Sequence, residues 1–259
     1  MDHDDLPIGR FLSRREALAL LGVGGTGLLV GCGTRPTEET ALSASASGSA
    51  PSPCLVKPEQ TEGPFFFEDG VFRRDIRSNV ATGEAKAGVP LTLTIAVSRL
   101  HEAACEPIEN AIVDIWHCDA LGAYSGYARE GTEGETFCRG FQRTDAAGEA
   151  SFLTIYPGWY RGRATHIHLK VRTSEEADAY EFTSQLYFPD SVSDEIAAMR
   201  PYAAASFTRV RNNRDGIYMR GGGNQLLLAP TREGDGYAAR FDFALDLSDA
   251  ATGRTDRFG

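Results

Sequence analysis

From residue 54 onward the chain alternates large apolar residues with small or polar ones over short segments. Every second residue of 91–98 is a large aliphatic one, and an aromatic or aliphatic residue recurs at the same interval in 237–247. This two-residue period is typical of strands with one buried face. Further candidate strands are 110–117, 150–155, 165–172, 183–188 and 225–229. The pattern predicts a chain dominated by β-structure.

Turn-forming sequences separate these segments at 145–148, 157–158 and 213–216. One short helix is predicted at 193–199, with Ser193 as its N-cap. Seven or more strands at this spacing predict an all-β fold, a β-sandwich of two mainly antiparallel sheets with long loops. No internal repeat is visible, so we expect one folded domain over residues 54–259.

Residues 1–31 have the pattern of an export signal rather than of the folded domain. Paired arginines, Arg14 and Arg15, precede fourteen apolar and small residues at 17–30. This stretch is too short and too rich in glycine for a transmembrane helix. The paired arginines indicate the twin-arginine route, which exports folded proteins.

The end of this signal resembles a bacterial lipobox, because Leu29-Val30-Gly31 leads directly to Cys32. We expect Cys32 to be the lipidated first residue of the mature protein, with a plain secretory signal as the alternative. Seventeen of the 21 residues at 33–53 are Ser, Thr, Ala, Gly or Pro. Such a segment buries too little apolar surface to fold, so 32–53 is predicted to be a flexible linker. The protein is then exported and lipid-anchored, outside the cell membrane or in the periplasm.

The charge balance narrows the classes of partner. With 26 Lys and Arg against 36 Asp and Glu, the formal net charge is -10, and no basic stripe offsets it. Such a chain makes a poor ligand for a phosphate backbone, so nucleic-acid binding is not expected. The fractions of hydrophobic and charged residues, 42% and 24%, are ordinary for a globular protein.

Four cysteines remain once Cys32 is set aside: Cys54, Cys105, Cys118 and Cys138. An even number in an exported protein indicates two disulfides, and the absence of any C-x-x-C spacing argues against zinc. Three pairings are possible. We favour Cys118 with Cys138, which would clamp the loop between them, and hence Cys54 with Cys105.

Histidine is scarce, and two of the five occur as His166-Ile-His168. Alternate residues of a strand share a face, so the two imidazoles are expected to project together and could ligate a metal. Tyr160 follows a Pro-Gly turn just upstream, and Tyr124 ends a glycine-containing turn after a strand. Phenolate is a rare ligand that a hard trivalent cation favours, so two tyrosines and two histidines suit Fe(III).

Four segments, in order, resemble the intradiol ring-cleavage dioxygenases. They are 114–124, 139–145, 154–160 and 163–168, and Thr61-Glu-Gly-Pro-Phe65 resembles the start of that family's core. The resemblance implies a β-sandwich with non-haem Fe(III) bound by Tyr124, Tyr160, His166 and His168. It also implies that the enzyme cleaves catechol-type rings with O2 to cis,cis-muconate-type products. Both atoms of O2 are incorporated into the product.

The resemblance assigns further roles. Tyr160 is the axial ligand that leaves when substrate binds, Arg163 and Pro64 lie beside the substrate, and Gln185 supports the site from behind the ligands. An ordinary salt bridge near a strand start is the alternative for Arg163. The chain departs from protocatechuate enzymes at Arg161-Gly162, where those tend to carry aromatic residues, and it lacks the helical dimerisation segment of catechol enzymes.

Two other classes of protein share parts of this pattern. A cupin-type metalloenzyme also uses a His-x-His strand, but it needs a later histidine, and none follows His168. A non-catalytic extracellular β-sandwich that binds a partner or sugar is the second alternative. Its stacking platforms could only be Trp116 and Trp159, and both lie inside the metal motifs.

Overall fold

Two sheets face each other in the computed structural model, which describes residues 55–101, 104–176 and 179–249. The strands of these ranges are β1 (Pro90–His101), β2 (Ala104–Pro107), β3 (Ile112–Trp116), β4 (Arg139–Arg143), β5 (Glu149–Ile155), β6 (His166–Arg172), β7 (Glu181–Tyr187), β8 (Thr231–Glu233) and β9 (Gly236–Leu245). The predicted signal peptide, Cys32, the linker and Cys54 lie outside the described residues. All described residues belong to one compact unit.

The first sheet has the order β2-β1-β9-β8, with β5 also paired to β1. The long strand β1 pairs antiparallel with β2 and β5 but parallel with β9, with Leu91 opposite Tyr237. The second sheet, β4-β3-β6-β7, is antiparallel throughout. The predicted sandwich of mainly antiparallel sheets is therefore confirmed.

The core lies between the sheets and follows the alternation seen in the sequence. Leu91, Leu93, Ile95 and Val97 of β1 are all fully buried. Ile167, Leu169 and Val171 of β6 are also fully buried and belong to the same cluster. Because alternate residues point to opposite faces, His166 and His168 are left on the outer face of the second sheet. The core packing thus decides which way the histidines point.

Two predicted elements differ in the structure. The segment 225–229 is no strand; a 3-10 turn at Gly223–Gln225 begins at the third of three consecutive glycines, and only Leu227 bridges to Tyr187. The predicted helix is present as α1 (Asp190–Ala197), but Ser193 lies inside it and Pro189 is its N-cap. A second short helix, α2 (Gly216–Arg220), was not predicted. No helix in the described ranges is long and apolar enough to cross a membrane.

The favoured pairing of Cys118 with Cys138 is wrong, because both are free, buried thiols in the structure. Their side chains pack in different clusters. Cys118 lies with Phe65, Trp116 and Tyr124, whereas Cys138 belongs to the main core. Cys105 is disulfide-bonded, but its predicted partner Cys54 lies outside the described residues, so that pairing stays a prediction.

Candidate active site

Strand β6 brings the two histidines together as the spacing predicts. His166 and His168 lie opposite Tyr187 and Gln185 of β7 in the sheet register, so these four side chains share one face. The two Nε2 atoms are 3.1 Å apart. His166 is 2% exposed and His168 is fully buried.

The surroundings of the histidines fix their chemical form. His166 Nδ1 lies 2.7 Å from the Ala164 carbonyl, to which it can only donate, so Nε2 keeps its lone pair. Burial lowers the pKa of His166 to about 3, and Arg163 adds to this effect. Burial, with His166 nearby, also holds the pKa of His168 well below its ordinary value. Both imidazoles are therefore neutral at physiological pH, the form that binds metals.

Tyr124 is positioned by a tight loop after β3. Asp119 Oδ1 accepts hydrogen bonds from the backbone N–H groups of Leu121 and Ala123, at 2.9 and 3.0 Å. Gly122 has φ of 96°, and a Cβ there would come within 2.4 Å of the Trp159 carbonyl oxygen. The loop therefore packs directly on the segment that carries Tyr160, and glycine permits that approach.

The Tyr124 ring is fully buried, and Phe65 stacks on it with centroids 4.0 Å apart and planes within 4°. Its Oη lies 3.5 Å from His166 Nε2. Burial, followed by the nearby Tyr160, raises the pKa of the Tyr124 phenol well above its ordinary value. The phenol is therefore protonated by itself, and a cation beside it would be needed to form the phenolate.

Tyr160 completes the cluster from the connection between β5 and β6. Its ring centroid lies 5.7 Å from those of both Tyr124 and His166. Unlike the other three predicted ligands, Tyr160 is only half-buried. A surface cleft of about 460 Å³ is lined by residues that include Trp159, Phe207 and Arg209, and by none of the four predicted ligands. Tyr160 is therefore the only one of the four predicted ligands with partial access to solvent, and the cleft lies apart from all four.

Arg163 lies beside Tyr160 and also forms a salt bridge. Its Nε donates to Asp215 Oδ2 at 2.9 Å, and its Nη1 lies 3.3 Å from Tyr160 Oη. Its Nη2 donates to Gln185 Oε1. Burial acts to lower the pKa of this guanidinium, but Tyr160, Tyr187 and Asp215 outweigh it and raise the pKa. The salt bridge expected as the alternative for Arg163 is present, and its predicted role beside the substrate stays a prediction.

Gln185 is fully buried and links the site to the N-terminal segment, because its Nε2 donates to the Thr61 carbonyl at 2.8 Å. Pro64 follows in that segment and is exposed, next to Phe65, whose ring contacts both tyrosines. Pro64 is therefore the exposed neighbour of a residue that packs on Tyr124 and Tyr160.

Sequence reasoning missed Asp215, Tyr187 and Phe65 as parts of the site. Asp215 accepts from Arg163 and also caps α2, through the N–H groups of Ile217 and Tyr218. An aspartate directly before a short helix is a capping signal, which could have drawn attention to it. Tyr187, two residues after Gln185, shares its strand face, so the same period would have found it.

The residues present fit a ferric ion. No group of three or more His, Cys, Asp or Glu side chains in the described ranges could hold a metal, so an ion here would need phenol oxygens. Two neutral imidazoles and two phenols converge, and His166 donates its other N–H to a backbone carbonyl, as metal-binding histidines commonly do. Hard oxygens together with imidazole nitrogens suit Fe(III).

Comparison with known proteins points the same way. A family model described as Dioxygenase matches residues 61–246. An intradiol ring-cleavage dioxygenase from Tetranychus urticae is 27% identical, with a TM-score of 0.65 over 74% of this chain and 95% of that one. No curated protein sequence matches the chain.

Two further solved structures are similar. The dioxygenase domain of a dioxygenase and carbohydrate-binding protein fusion from Streptomyces sp. SirexAA-E is 30% identical, with a TM-score of 0.53 over 74% of this chain and 99% of that one. A 3-chlorocatechol 1,2-dioxygenase from Rhodococcus opacus 1CP is 20% identical, with a TM-score of 0.52 over 74% of each chain, which indicates the fold alone.

Proposed function

The chain belongs to the intradiol ring-cleavage dioxygenase family, and we propose that it uses non-haem Fe(III) and O2 to cleave catechol-type rings to cis,cis-muconate-type products. The observation that carries this proposal is the convergence of Tyr124, Tyr160, His166 and His168 on one point of the fold. These four side chains would hold the metal. Fe(III) bound there would supply the Lewis acidity that activates a catechol toward O2.

Arg163 would stabilise negative charge that develops on the ring. Its guanidinium is held by Asp215 on one edge and by Gln185 on another, so its direction is set before a substrate arrives. A fixed cation in a buried site stabilises developing charge without reorganisation. Gln185 is fixed in turn by the Thr61 carbonyl, which makes it a support for Arg163.

Tyr160 would exchange places with the substrate. It is the one predicted ligand that reaches the surface, and its Oη lies within reach of Arg163 Nη1 at 3.3 Å. Once released, the Tyr160 oxygen can accept a proton from an incoming catechol hydroxyl. Pro64, exposed beside Phe65, would border the ring that enters.

A non-catalytic sandwich is not favoured. Such a module would present its aromatic residues outward, whereas Trp116 is 1% exposed and stacks on His168 with planes within 7°. Trp159 is 5% exposed, and its Nε1 donates to the Phe207 carbonyl. Trp116 packs within the cluster, and Trp159, although it lines the cleft, is too buried to offer an open face to a sugar.

Substitution of single ligands tests the site. We expect Tyr124→Phe and His168→Ala to lose most of the bound iron, the burgundy colour of phenolate-to-Fe(III) charge transfer, and O2 uptake with catechols. Tyr237→Phe and His101→Ala, on other parts of the fold, are matched controls that should keep all three. Full iron content and activity in Tyr124→Phe or His168→Ala would refute the assignment.

The product identifies the type of cleavage. Cleavage between the two hydroxylated carbons gives a muconate and no yellow semialdehyde. A panel of catechols followed by O2 uptake and product spectra would also identify the substrate. A yellow product would contradict the proposed intradiol chemistry.

We also propose that the protein is exported and held at the outer side of the cell membrane, or in the periplasm, by lipid on Cys32. The support is the paired arginines, the apolar run and the lipobox-like Leu29-Val30-Gly31-Cys32. The 32–53 linker would let the catalytic domain act away from the lipid surface.

A further inference from the structure

Arg139, at the start of β4, is a buried guanidinium that the proposed chemistry does not use. It is 2% exposed. Within the residues that the structure describes, no carboxylate forms a salt bridge with it. Burial lowers the pKa of this guanidinium. Burying a cation without a paired anion is costly, so the hydrogen bonds that it makes have to compensate.

Those hydrogen bonds go to Ser125 and to Phe65, which both contact or adjoin Tyr124. Arg139 Nε donates to Ser125 Oγ and Nη2 to the Ser125 carbonyl, both at 2.8 Å. Nη1 donates to the Phe65 carbonyl at 3.2 Å. Ser125 directly follows Tyr124, and Phe65 stacks on the Tyr124 ring. One planar group therefore holds both the chain that carries Tyr124 and the ring that covers it.

The position of Arg139 is itself fixed. Its guanidinium lies 4.1 Å from the centre of the Phe67 ring. Its carbonyl accepts from Arg73 Nη2 at 2.8 Å, and strand pairing places it opposite Trp116. Because these contacts come from β3 and from Phe67 and Arg73, which precede it in the chain, they fix the guanidinium relative to β3.

We propose that Arg139 is a positioning residue for Tyr124, which it holds in the ligating position before the metal binds. The three donated bonds need the planar fork of a guanidinium, and a single ammonium cannot reproduce them. This role rests on the proposed function, because Tyr124 matters as a ligand only if iron binds. Mutation of a residue that orients a metal ligand through hydrogen bonds typically lowers metal affinity or activity by about 10–100-fold.

The test compares Arg139→Met and Arg139→Lys with Arg143→Met, a control on the same strand whose half-exposed side chain pairs with Glu175. In metal-free protein we expect faster amide hydrogen exchange over residues 119–127 in both Arg139 variants. After reconstitution, iron affinity falls about 10–100-fold and the visible charge-transfer band shifts. Arg143→Met should match the wild type in every measurement.

Wild-type exchange, iron affinity and band position in Arg139→Met would overturn the proposal. Full rescue by Arg139→Lys would also overturn it, since charge rather than the fork would then suffice. If Arg139→Met does not fold, the test uses Arg139→Lys and Ser125→Ala instead. Ser125→Ala removes the hydroxyl that accepts the hydrogen bond from Arg139 Nε. Wild-type hydrogen exchange and wild-type spectra in both of these variants would refute the positioning role. A wild type without iron or ring cleavage refutes the proposed function, yet exchange in metal-free protein still tests the hold on Tyr124.

Discussion

At the scale of single residues, His117 and His168 show how similar burial leads to different roles. His117 has a partner at each ring nitrogen, the Cys118 carbonyl at 2.8 Å and Thr154 Oγ1 at 2.7 Å. His168 Nδ1 has no partner in the described residues, and its Nε2 faces His166. The satisfied histidine is a core residue, whereas the other keeps a nitrogen directed into the cluster.

Because burial lowers the pKa of His117 to about 4, the contribution of this residue to the free energy of unfolding depends on pH. The unfolded chain takes up a proton near pH 6.5 and the folded chain only near pH 4, so stability falls as the pH is lowered between these values. At pH 5 the loss from this residue is about 2 kcal/mol.

We predict that His117→Gln weakens the acid sensitivity of metal-free protein. Urea unfolding at pH 7.5 and pH 5 should show a drop smaller by about 2 kcal/mol than in the wild type. An unchanged drop in His117→Gln would show that His117 is not kept neutral by the fold.

At the scale of elements, half of the candidate site lies on a strand and half lies on the loops that connect strands. Strand β6 sets the two histidines by its period alone, but Tyr124 and Tyr160 lie on separate connections that meet where Gly122 packs on Trp159. The match between these loops depends on the absence of a side chain at residue 122.

Gly122→Ala should therefore separate the two tyrosines. A Cβ at 2.4 Å from the Trp159 carbonyl forces backbone to move. Gly131→Ala is a matched control in the same connection, because it has φ of 72° and nothing within 4 Å of its Cβ. Both variants carry a left-handed strain of about 1–2 kcal/mol, but only Gly122→Ala should also lose iron, measured as metal per protein. Equal iron content in the two would contradict this role of the loop contact.

At the scale of the whole molecule, the net charge decides what kind of membrane attachment is possible. Without residues 1–31 the chain keeps 23 basic and 32 acidic residues, a net charge of -9. Anionic lipid repels such a protein, so attachment to a membrane would need covalent lipid. Each buried methylene contributes about 0.8 kcal/mol, which makes several acyl chains a stable anchor.

Fractionation of the native host tests the anchor. We expect the wild type to sediment with membranes and Cys32→Ser to be released into the soluble fraction. O2 uptake with a catechol should be equal in the two, because residue 32 is remote in sequence from the site residues. Equal release of both proteins would indicate a plain secreted enzyme.

Local sequence patterns were enough to predict the two sheets and the pairing of His166 with His168. The two-residue period of 91–98 and 237–247 predicts strands whose apolar faces the structure buries, and the same period in 166–168 pairs the histidines. These features are local, because the identity of alternate residues decides which face meets the core. The segment 225–229 failed as a strand because its apolar residues pack after a glycine-rich turn without a pairing partner along their length.

Which distant residues support the candidate site depends on how the whole chain folds. Asp215 reaches Arg163 from 52 residues away, and Arg139 reaches Phe65 from 74. No period or spacing encodes such contacts, since they depend on how loops close over the finished sheets. The state of Cys118 and Cys138 also depends on tertiary packing. Their positions in the sequence suggested a disulfide, but their side chains pack in two separate clusters and remain free thiols. Strand faces follow from local alternation, whereas the contacts that fix the site follow from the packing of the whole chain.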